Sequence, residues 1–155
     1  MNDFLDRHRD EIVDAATTAL TRAHAAHYDA AGAEERRRRI ETLYDDMCDA
    51  VACRRLERVL ATARSIARER FAAGYDLSEV QTAFNALEEA VWRTTFAHAQ
   101  PERYREILAL ATTVLGAAKD ALAREYVSLA TRAQTPSLDV TALFGGTDGV
   151  PVAKA

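Results

Sequence analysis

Histidines are the side chains whose type and spacing could bind a cofactor in this sequence. His24 and His27 lie three residues apart on one side of a predicted helix, and His98 lies near the end of another. A haem iron takes an axial histidine inside an apolar pocket, which an all-helical chain could supply. The sequence lacks the Cys-x-x-Cys-His, Glu-x-x-His and His-Glu-x-x-His motifs of haem and metal sites. We therefore predict no cofactor and no metal, with His24, His27 and His98 as the haem candidates.

Acidic and nucleophilic side chains do not form a catalytic pattern. The sequence has neither a Gly-x-Ser-x-Gly nucleophile elbow nor a glycine-rich phosphate loop ending in Lys-Ser or Lys-Thr. Glu88 and Glu89 are adjacent and diverge on a helix, and Asp45, Asp46 and Asp49 are predicted on the outer face of theirs. No acid and base are placed to share a substrate, so we predict that the protein is not an enzyme.

Two cysteines and the N-terminus indicate the cellular compartment. Cys48 and Cys53 are about 140 degrees apart around a helix axis, which disfavours a local disulfide or a shared metal. Small, buried, unpaired thiols suit a reducing compartment. The charged N-terminus lacks the apolar core of a signal peptide, and no apolar run is long enough to span a bilayer. We predict a cytoplasmic protein without membrane contact.

Arginine-rich stretches raise the question of nucleic-acid binding. In residues 34–39, Glu-Glu-Arg-Arg-Arg-Arg, each glutamate faces an arginine four residues later, a spacing that stabilises a solvated helix. Further arginines lie between residues 54 and 70, but a helix-turn-helix would need a small residue where Arg70 falls. The net charge is -4. We therefore predict no nucleic-acid partner.

Helices must position all of these residues, because the sequence has only six glycines and three prolines in 155 residues. Apolar residues recur at three- and four-residue steps. They predict a helix over 3–30, an unbroken helical stretch over 33–73, a helix from 77 to about 99 and a last helix over 102–133. The unbroken stretch 33–73 is too long for one helix of a small domain, so we predict a break between Ala52 and Arg54. The prediction is an all-α, single-domain bundle of about five long helices over 1–135, with a globin-like arrangement as one form of it.

The best-marked boundary follows the third predicted helix. Gly74 can adopt the left-handed conformation that ends helices. Asp76 and Glu79 have the spacing of a capping box, which predicts that the next helix begins at Leu77. We interpret this connection as a hinge between two long helices.

A seam of leucines runs along the last helix at intervals of seven residues: Leu108, Leu115, Leu122 and Leu129. Small alanines between them would let a neighbouring helix approach closely, so the helix is either the central strut of the bundle or half of a subunit interface. Trp92 at a helix edge is either a lid on the core, which we favour, or an interface anchor.

The C-terminal segment 136–155 is predicted to be a docking tail that is partly flexible. Leu138, Leu143 and Phe144 form a short apolar stretch ahead of a glycine-rich end. Such side chains are poor candidates for free exposure. We predict that they dock in a groove of their own subunit or of a partner subunit.

The stretch from Ile66 to Val80, followed by Phe84 to Trp92, resembles the N-terminal sensory domain of RsbR-type co-antagonist proteins, the RsbRD N-terminal family. The opening residues 7–13 are similar as well, and the resemblance extends loosely into the last helix. It is carried by an arginine, a short spacer, a glycine and a capped helix. These signature residues are Arg70, Gly74, Asp76, Leu77, Glu79 and Val80.

That resemblance implies an all-helical, non-haem domain that dimerises and serves as the input module of stressosome proteins. In multidomain relatives a phosphorylatable STAS output domain follows the last helix, so this chain looks like the short standalone form found in actinobacteria. We expect a non-enzymatic regulatory module of stress or sigma-factor signalling that acts as a homodimer and contacts a protein partner. A small-molecule or haem-binding globin-like sensor is the alternative.

Overall fold

The structure is a computed structural model that describes residues 2–23, 30 and 32–134. Within these ranges the chain forms six α-helices and no strand, which confirms the predicted all-α bundle. The helices are α1 (Asn2–Arg7), α2 (Arg9–Arg22), α3 (Ala33–Cys53), α4 (Glu57–Ala72), α5 (Leu77–His98) and α6 (Pro101–Gln134). None of the helices in the described ranges is long and apolar enough to cross a membrane.

One hydrophobic core runs through the bundle. The helix pairs with the most extensive packing are α4 with α6, α2 with α5, and α5 with α6. Helix α4 contributes the small residues Val59, Ala63 and Ala67, which allow the long α6 to approach its backbone closely. Large core side chains come from the other helices: Leu5, Ile12, Val13, Leu20, Ile40, Tyr44, Met47, Phe84, Leu87, Ile107, Leu115 and Leu122.

The first predicted helix is divided at His8. This residue has φ -104° and ψ 15° and separates α1 from α2, so the prediction of one helix over residues 3–30 was wrong there. The hydroxyl of Tyr44 in α3 donates a buried hydrogen bond of 2.7 Å to the backbone carbonyl of Leu5. That bond satisfies a carbonyl near the end of α1 and anchors this short helix to α3. The part of the predicted helix over 24–29 lies outside the described residues.

Arg54 ends α3 by adopting the left-handed conformation, with φ 54° and ψ 37°. The predicted break is confirmed, although no glycine marks it. Asp46 was predicted on the outer face, and this was wrong because only 4% of it is exposed. Arg58 of α4 places Nε 3.0 Å from Asp46 Oδ1 and Nη1 2.5 Å from Asp49 Oδ2. This arginine compensates the buried carboxylate and ties α4 to α3 across the break.

The two thiols differ in their environments. Cys48 is half-buried, whereas Cys53 is exposed at the end of α3. The prediction of two buried thiols was therefore wrong for Cys53. Burial raises the pKa of the Cys48 thiol to about 12, so very little reactive thiolate forms there near neutral pH.

We therefore expect a thiol reagent such as Ellman's reagent to modify the folded protein in two phases at mildly alkaline pH. Cys53 should react fast because it is exposed, and Cys48 should react only as the protein opens, because burial limits access to its thiol and suppresses its thiolate. Cys53→Ser should remove the fast phase and Cys48→Ser should leave it unchanged. Equal rates for the two thiols in the folded protein would contradict the structure.

Candidate functional site

The connection between α4 and α5, which we interpret as a hinge, contains Gly74 in the left-handed conformation. Gly74 has φ 79°, and the backbone N–H of Tyr75 donates to the carbonyl oxygen of Arg70 at 2.9 Å. This is the Schellman arrangement that closes a helix. The predicted capping box is also confirmed, with the backbone N–H of Asp76 donating to Glu79 Oε2 at 3.1 Å. Local sequence therefore determines both the end of α4 and the start of α5.

Tyr75, which the sequence did not single out, lies at the centre of the hinge. Arg39 Nη1 of α3 donates to the Tyr75 hydroxyl at 2.9 Å. The guanidinium carbons of Arg39 and Arg70 lie 5.7 and 5.3 Å from the centroid of its ring. The hydroxyl of Tyr126 in α6 donates to the Tyr75 carbonyl oxygen. Burial raises the pKa of Tyr126, so it remains a donor over the physiological range.

The remaining signature residues connect the hinge with the core. Val80 is fully buried, and Leu77 is half-buried against the core. Arg70 precedes Gly74 in the chain, near the end of α4, and lines a cavity. Three helices therefore meet the hinge through side chains: α3 through Arg39, α4 through Arg70 and α6 through Tyr126. A change at any of these contacts would reach the α4–α5 connection directly.

The cavity lies between α3, α4 and the first half of α5 and has a volume of about 340 Å³. Leu43 and Phe84 form a buried apolar floor, and Ile66 is half-buried beside them. Polar groups surround this floor: Glu35, Arg38, Arg39, Thr42, Thr62, Ser65, Glu69 and Arg70. An apolar floor with a few polar groups is the usual composition of a small-molecule site.

The leucine seam of α6 faces the interior of the chain. Leu115 and Leu122 have no exposed surface, and Leu108 and Leu129 are half-buried at its two ends. Helix α6 packs through this side against α4 and α5, as expected of a central strut. The other interface candidates of the C-terminal tail, Leu138, Leu143 and Phe144, lie outside the described residues.

An aromatic cluster, Trp92, Phe96 and Tyr104, lies on the surface where α5 meets α6, with Tyr104 half-buried. Trp92 is 41% exposed and Phe96 is 51% exposed, so the favoured role of Trp92 as a lid on the core was wrong. The rings meet edge to face, with centroids 5.9 Å apart for Trp92–Phe96 and 5.0 Å for Phe96–Tyr104. Trp92 Nε1 donates to Thr112 Oγ1 of α6 at 3.3 Å. These contacts hold the cluster in place on the surface.

A carboxylate bridge joins His8, Glu11 and His98 near the start of α2 and the end of α5. Glu11 Oε2 lies 3.2 Å from His8 Nδ1, and Oε1 lies 3.0 Å from His98 Nε2. The three potential ligand atoms lie within 4.8 Å of one another. The rings are stacked with their centroids 4.6 Å apart at 17°, and each ring contacts a different oxygen of Glu11. The arrangement is therefore a carboxylate bridge between two imidazoles.

The bridge also bears on the haem candidates. His98 is exposed and lies against Glu11 and His8, whereas an axial haem ligand needs an apolar pocket. His24 and His27 lie outside the described residues. Sequence reasoning missed the bridge because His98 and Glu11 are 87 residues apart in the chain; no local spacing could indicate their contact.

Glu11→Gln is expected to lower stability near neutral pH by less than about 1 kcal/mol, since the group is exposed to solvent. Burial opposes the charged form of Glu11, but the hydrogen bonds from His98 and His8 outweigh it and lower its pKa. A carboxyl group whose pKa is lowered by folding stabilises above its unfolded pKa, about 4.3. That contribution is lost as pH falls through the folded pKa.

Thermal unfolding of the wild type and of Glu11→Gln, followed from neutral to acidic pH, checks this expectation. The two curves of melting temperature against pH should converge on acidification. Glu106→Gln, a change of the same type at an exposed position of α6, should keep the pH dependence of the wild type. Curves for Glu11→Gln that stay parallel to the wild type at all pH values would contradict the bridge.

The family described as RsbT co-antagonist protein rsbRD N-terminal domain matches residues 10–136. The chain belongs to this family. No curated protein and no solved structure matches the chain. The RsbRD N-terminal domain family has a regulatory role in stress signalling, and the match confirms the resemblance carried by the signature residues.

The residues matched by the RsbRD N-terminal family include every feature of the candidate site described above except part of the carboxylate bridge. The hinge, the cavity and the aromatic cluster lie within residues 10–136. Helix α1 and His8 precede the match. The features inside the match are those on which a role shared with other RsbRD N-terminal domains could depend.

Proposed function

We propose that this RsbRD N-terminal domain is a non-enzymatic regulatory or sensory module of stress or sigma-factor signalling. It works in the cytoplasm as a homodimer and acts by contact with a protein partner. Family membership supports the regulatory role. The observation that supports action by contact is the aromatic cluster, because aromatic side chains are enriched at the energetically dominant centres of protein interfaces.

The aromatic cluster has the properties of a preformed interface centre. Trp92 and Phe96 expose large apolar surfaces, yet their rings are held by edge-to-face contacts and by the Trp92–Thr112 hydrogen bond. Side chains that are already ordered lose little conformational entropy on association. We assign the cluster to the contact between two copies of the chain, which leaves the hinge and the cavity open to solvent.

Size-exclusion chromatography with light scattering tests the homodimer. The wild type should have the mass of two chains, and the double variant Trp92→Ala, Phe96→Ala should have the mass of one. Val127→Ala is the matched control, since Val127 is a 61% exposed apolar residue elsewhere on α6 and its loss should leave the dimer intact. A wild type that stays monomeric at high concentration would contradict the dimer.

The same chromatography run can also detect a bound haem. A colourless dimer supports the signalling module and is the bait for isolating its protein partner. An absorbance peak in the Soret region would instead favour the haem-binding alternative, with His24 and His27 as the residues to replace first. If the wild type retains a partner protein and a hinge variant does not, binding of that partner depends on the connection between α4 and α5.

A further inference from the structure

We propose that the cavity between α3, α4 and α5 binds a small organic anion, a carboxylate with an apolar body, and that Arg70 holds its charge. This inference rests on the sensory role proposed above and names the chemical class of the signal. It follows from three properties of the cavity: its size and floor, the distribution of its charges, and its contact with the hinge.

The cavity has the size and the floor of a small-molecule site. Its volume is about 340 Å³, within the range of about 300–1,000 Å³ that is usual for ligand sites. Leu43 is 3% exposed, Phe84 is 1% exposed and Ala83 is 6% exposed. These side chains close the cavity on the core side, and the half-buried Ile66 offers apolar surface to the body of a ligand. The hydroxyl group of Thr62 lies on the α4 wall and could orient a polar group, whereas the Ser65 hydroxyl beside it donates to Glu69 Oε1 at 3.2 Å.

The charges around the cavity are unequally compensated. Glu35 binds Arg38 at 2.6 Å and Arg39 at 2.7 Å, so this carboxylate is already shared by two arginines. Arg70 makes no ion pair with any residue in the described part of the chain. Its Nε is shielded from solvent and has no hydrogen-bond acceptor among the described residues.

An arginine that lines a cavity without a carboxylate partner can bind an anionic ligand there. A carboxylate is the acceptor that best matches a guanidinium, because two parallel N–H groups can bind its two oxygens. Arg70 therefore has the chemistry to select an anion over a neutral molecule of the same shape. The apolar floor then selects an anion with a hydrocarbon body over a small inorganic ion.

Arg70 connects the cavity with the hinge. Its guanidinium lies over the ring of Tyr75, and its backbone carbonyl accepts the Tyr75 N–H that closes α4. An anion bound to the guanidinium competes with the ring for the same cation. Binding would therefore bias the arrangement of Tyr75 and with it the α4–α5 connection, which is how a ligand shifts a two-state element.

The test uses phenylacetate and phenylacetamide, which have nearly the same shape but differ in charge. Amide chemical shifts of the full chain are followed by heteronuclear NMR during titration with each compound. Phenylacetate should shift the amides around Ser65, Arg70 and Tyr75 and bind about tenfold more tightly than phenylacetamide, or better, as a charge-assisted pair predicts. Equal binding of the two compounds would overturn the proposal.

Variants of Arg70 assign the anchor. Arg70→Gln should weaken phenylacetate binding by about tenfold or more. Arg70→Lys keeps the charge without the paired N–H groups, so its affinity for phenylacetate should lie between those of the wild type and Arg70→Gln. Arg64→Gln is the matched control, since Arg64 is an exposed arginine of the same helix that does not line the cavity. Equal losses in Arg64→Gln and Arg70→Gln would overturn the assignment. If Arg70→Gln fails to fold, the comparison of the two compounds on the wild type still decides.

The outcomes for this proposal and for the proposed function are separate. A dimeric wild type whose cavity amides do not respond to phenylacetate up to its solubility limit overturns the anion site and leaves the regulatory dimer standing. A monomeric wild type that binds phenylacetate through Arg70 supports the anion site and contradicts the dimer.

Discussion

Leu122→Ala is expected to lower the free energy of unfolding by about 2–5 kcal/mol, the range for a buried leucine shortened to alanine. Leu122 has no exposed surface and belongs to the core between α6 and its neighbours. The loss combines the transfer of the missing methyl groups with the cavity that remains. Leu115→Ala, at an equally buried position of the seam, should have an effect in the same range.

Chemical denaturation followed by circular dichroism measures this loss. The decrease should be the same at low and high protein concentration, because the seam packs inside one chain. Leu129→Ala is the control within the same seam, and its smaller loss reflects the half-buried position of Leu129. If Leu122→Ala costs no more than Leu129→Ala, or if its cost depends strongly on protein concentration, the seam is not the central strut of the bundle.

Gly74→Val is expected to destabilise the protein by about 1–2 kcal/mol, the cost of placing a residue with a side chain in the left-handed conformation. Gly74 has φ 79°, and a Cβ built there meets no atom within 4 Å. The cost is therefore backbone strain and not a steric clash with a neighbour. Gly74→Asn should cost less, because asparagine tolerates this conformation better than a β-branched residue does.

Arg54→Gly provides the opposite test for the same conformation. Arg54 already has φ 54°, so a glycine there should remove strain and raise stability by up to about 1 kcal/mol. The melting temperatures should therefore decrease in the order Arg54→Gly, wild type, Gly74→Asn and Gly74→Val. An unchanged melting temperature for Gly74→Val would contradict the left-handed turn between α4 and α5.

Sequence reasoning predicted correctly those helix ends that are determined by residues adjacent in the chain. Gly74 and the Asp76–Glu79 pair determine their turn through their own backbone and side chains, so the prediction there was confirmed. The break at Arg54 was predicted only from the length of the segment, since an arginine adopts the conformation usually taken by glycine. The break at His8 was not predicted, because the apolar period of α2 continues across it into α1.

Long-range contacts explain what sequence reasoning missed in the candidate site. Tyr75 is held by Arg39 and Tyr126, which are 36 and 51 residues away in the chain. The buried position of Asp46 depends on an arginine of the next helix, and the carboxylate bridge depends on His98 of α5. Residue type and spacing indicated the helices on which these groups lie, but only packing brings the groups together.

The pairing of α2 with α5 has a consequence for synthesis of the protein on the ribosome. Helix α2 ends at Arg22, but its main packing partner begins only at Leu77. The part of the apolar face of Ile12, Val13 and Leu20 that α5 covers must therefore stay open, or be held by a chaperone, while α3, α4 and the turn at Gly74 are translated. We expect the nascent chain to become protease-resistant only after α5 has left the exit tunnel.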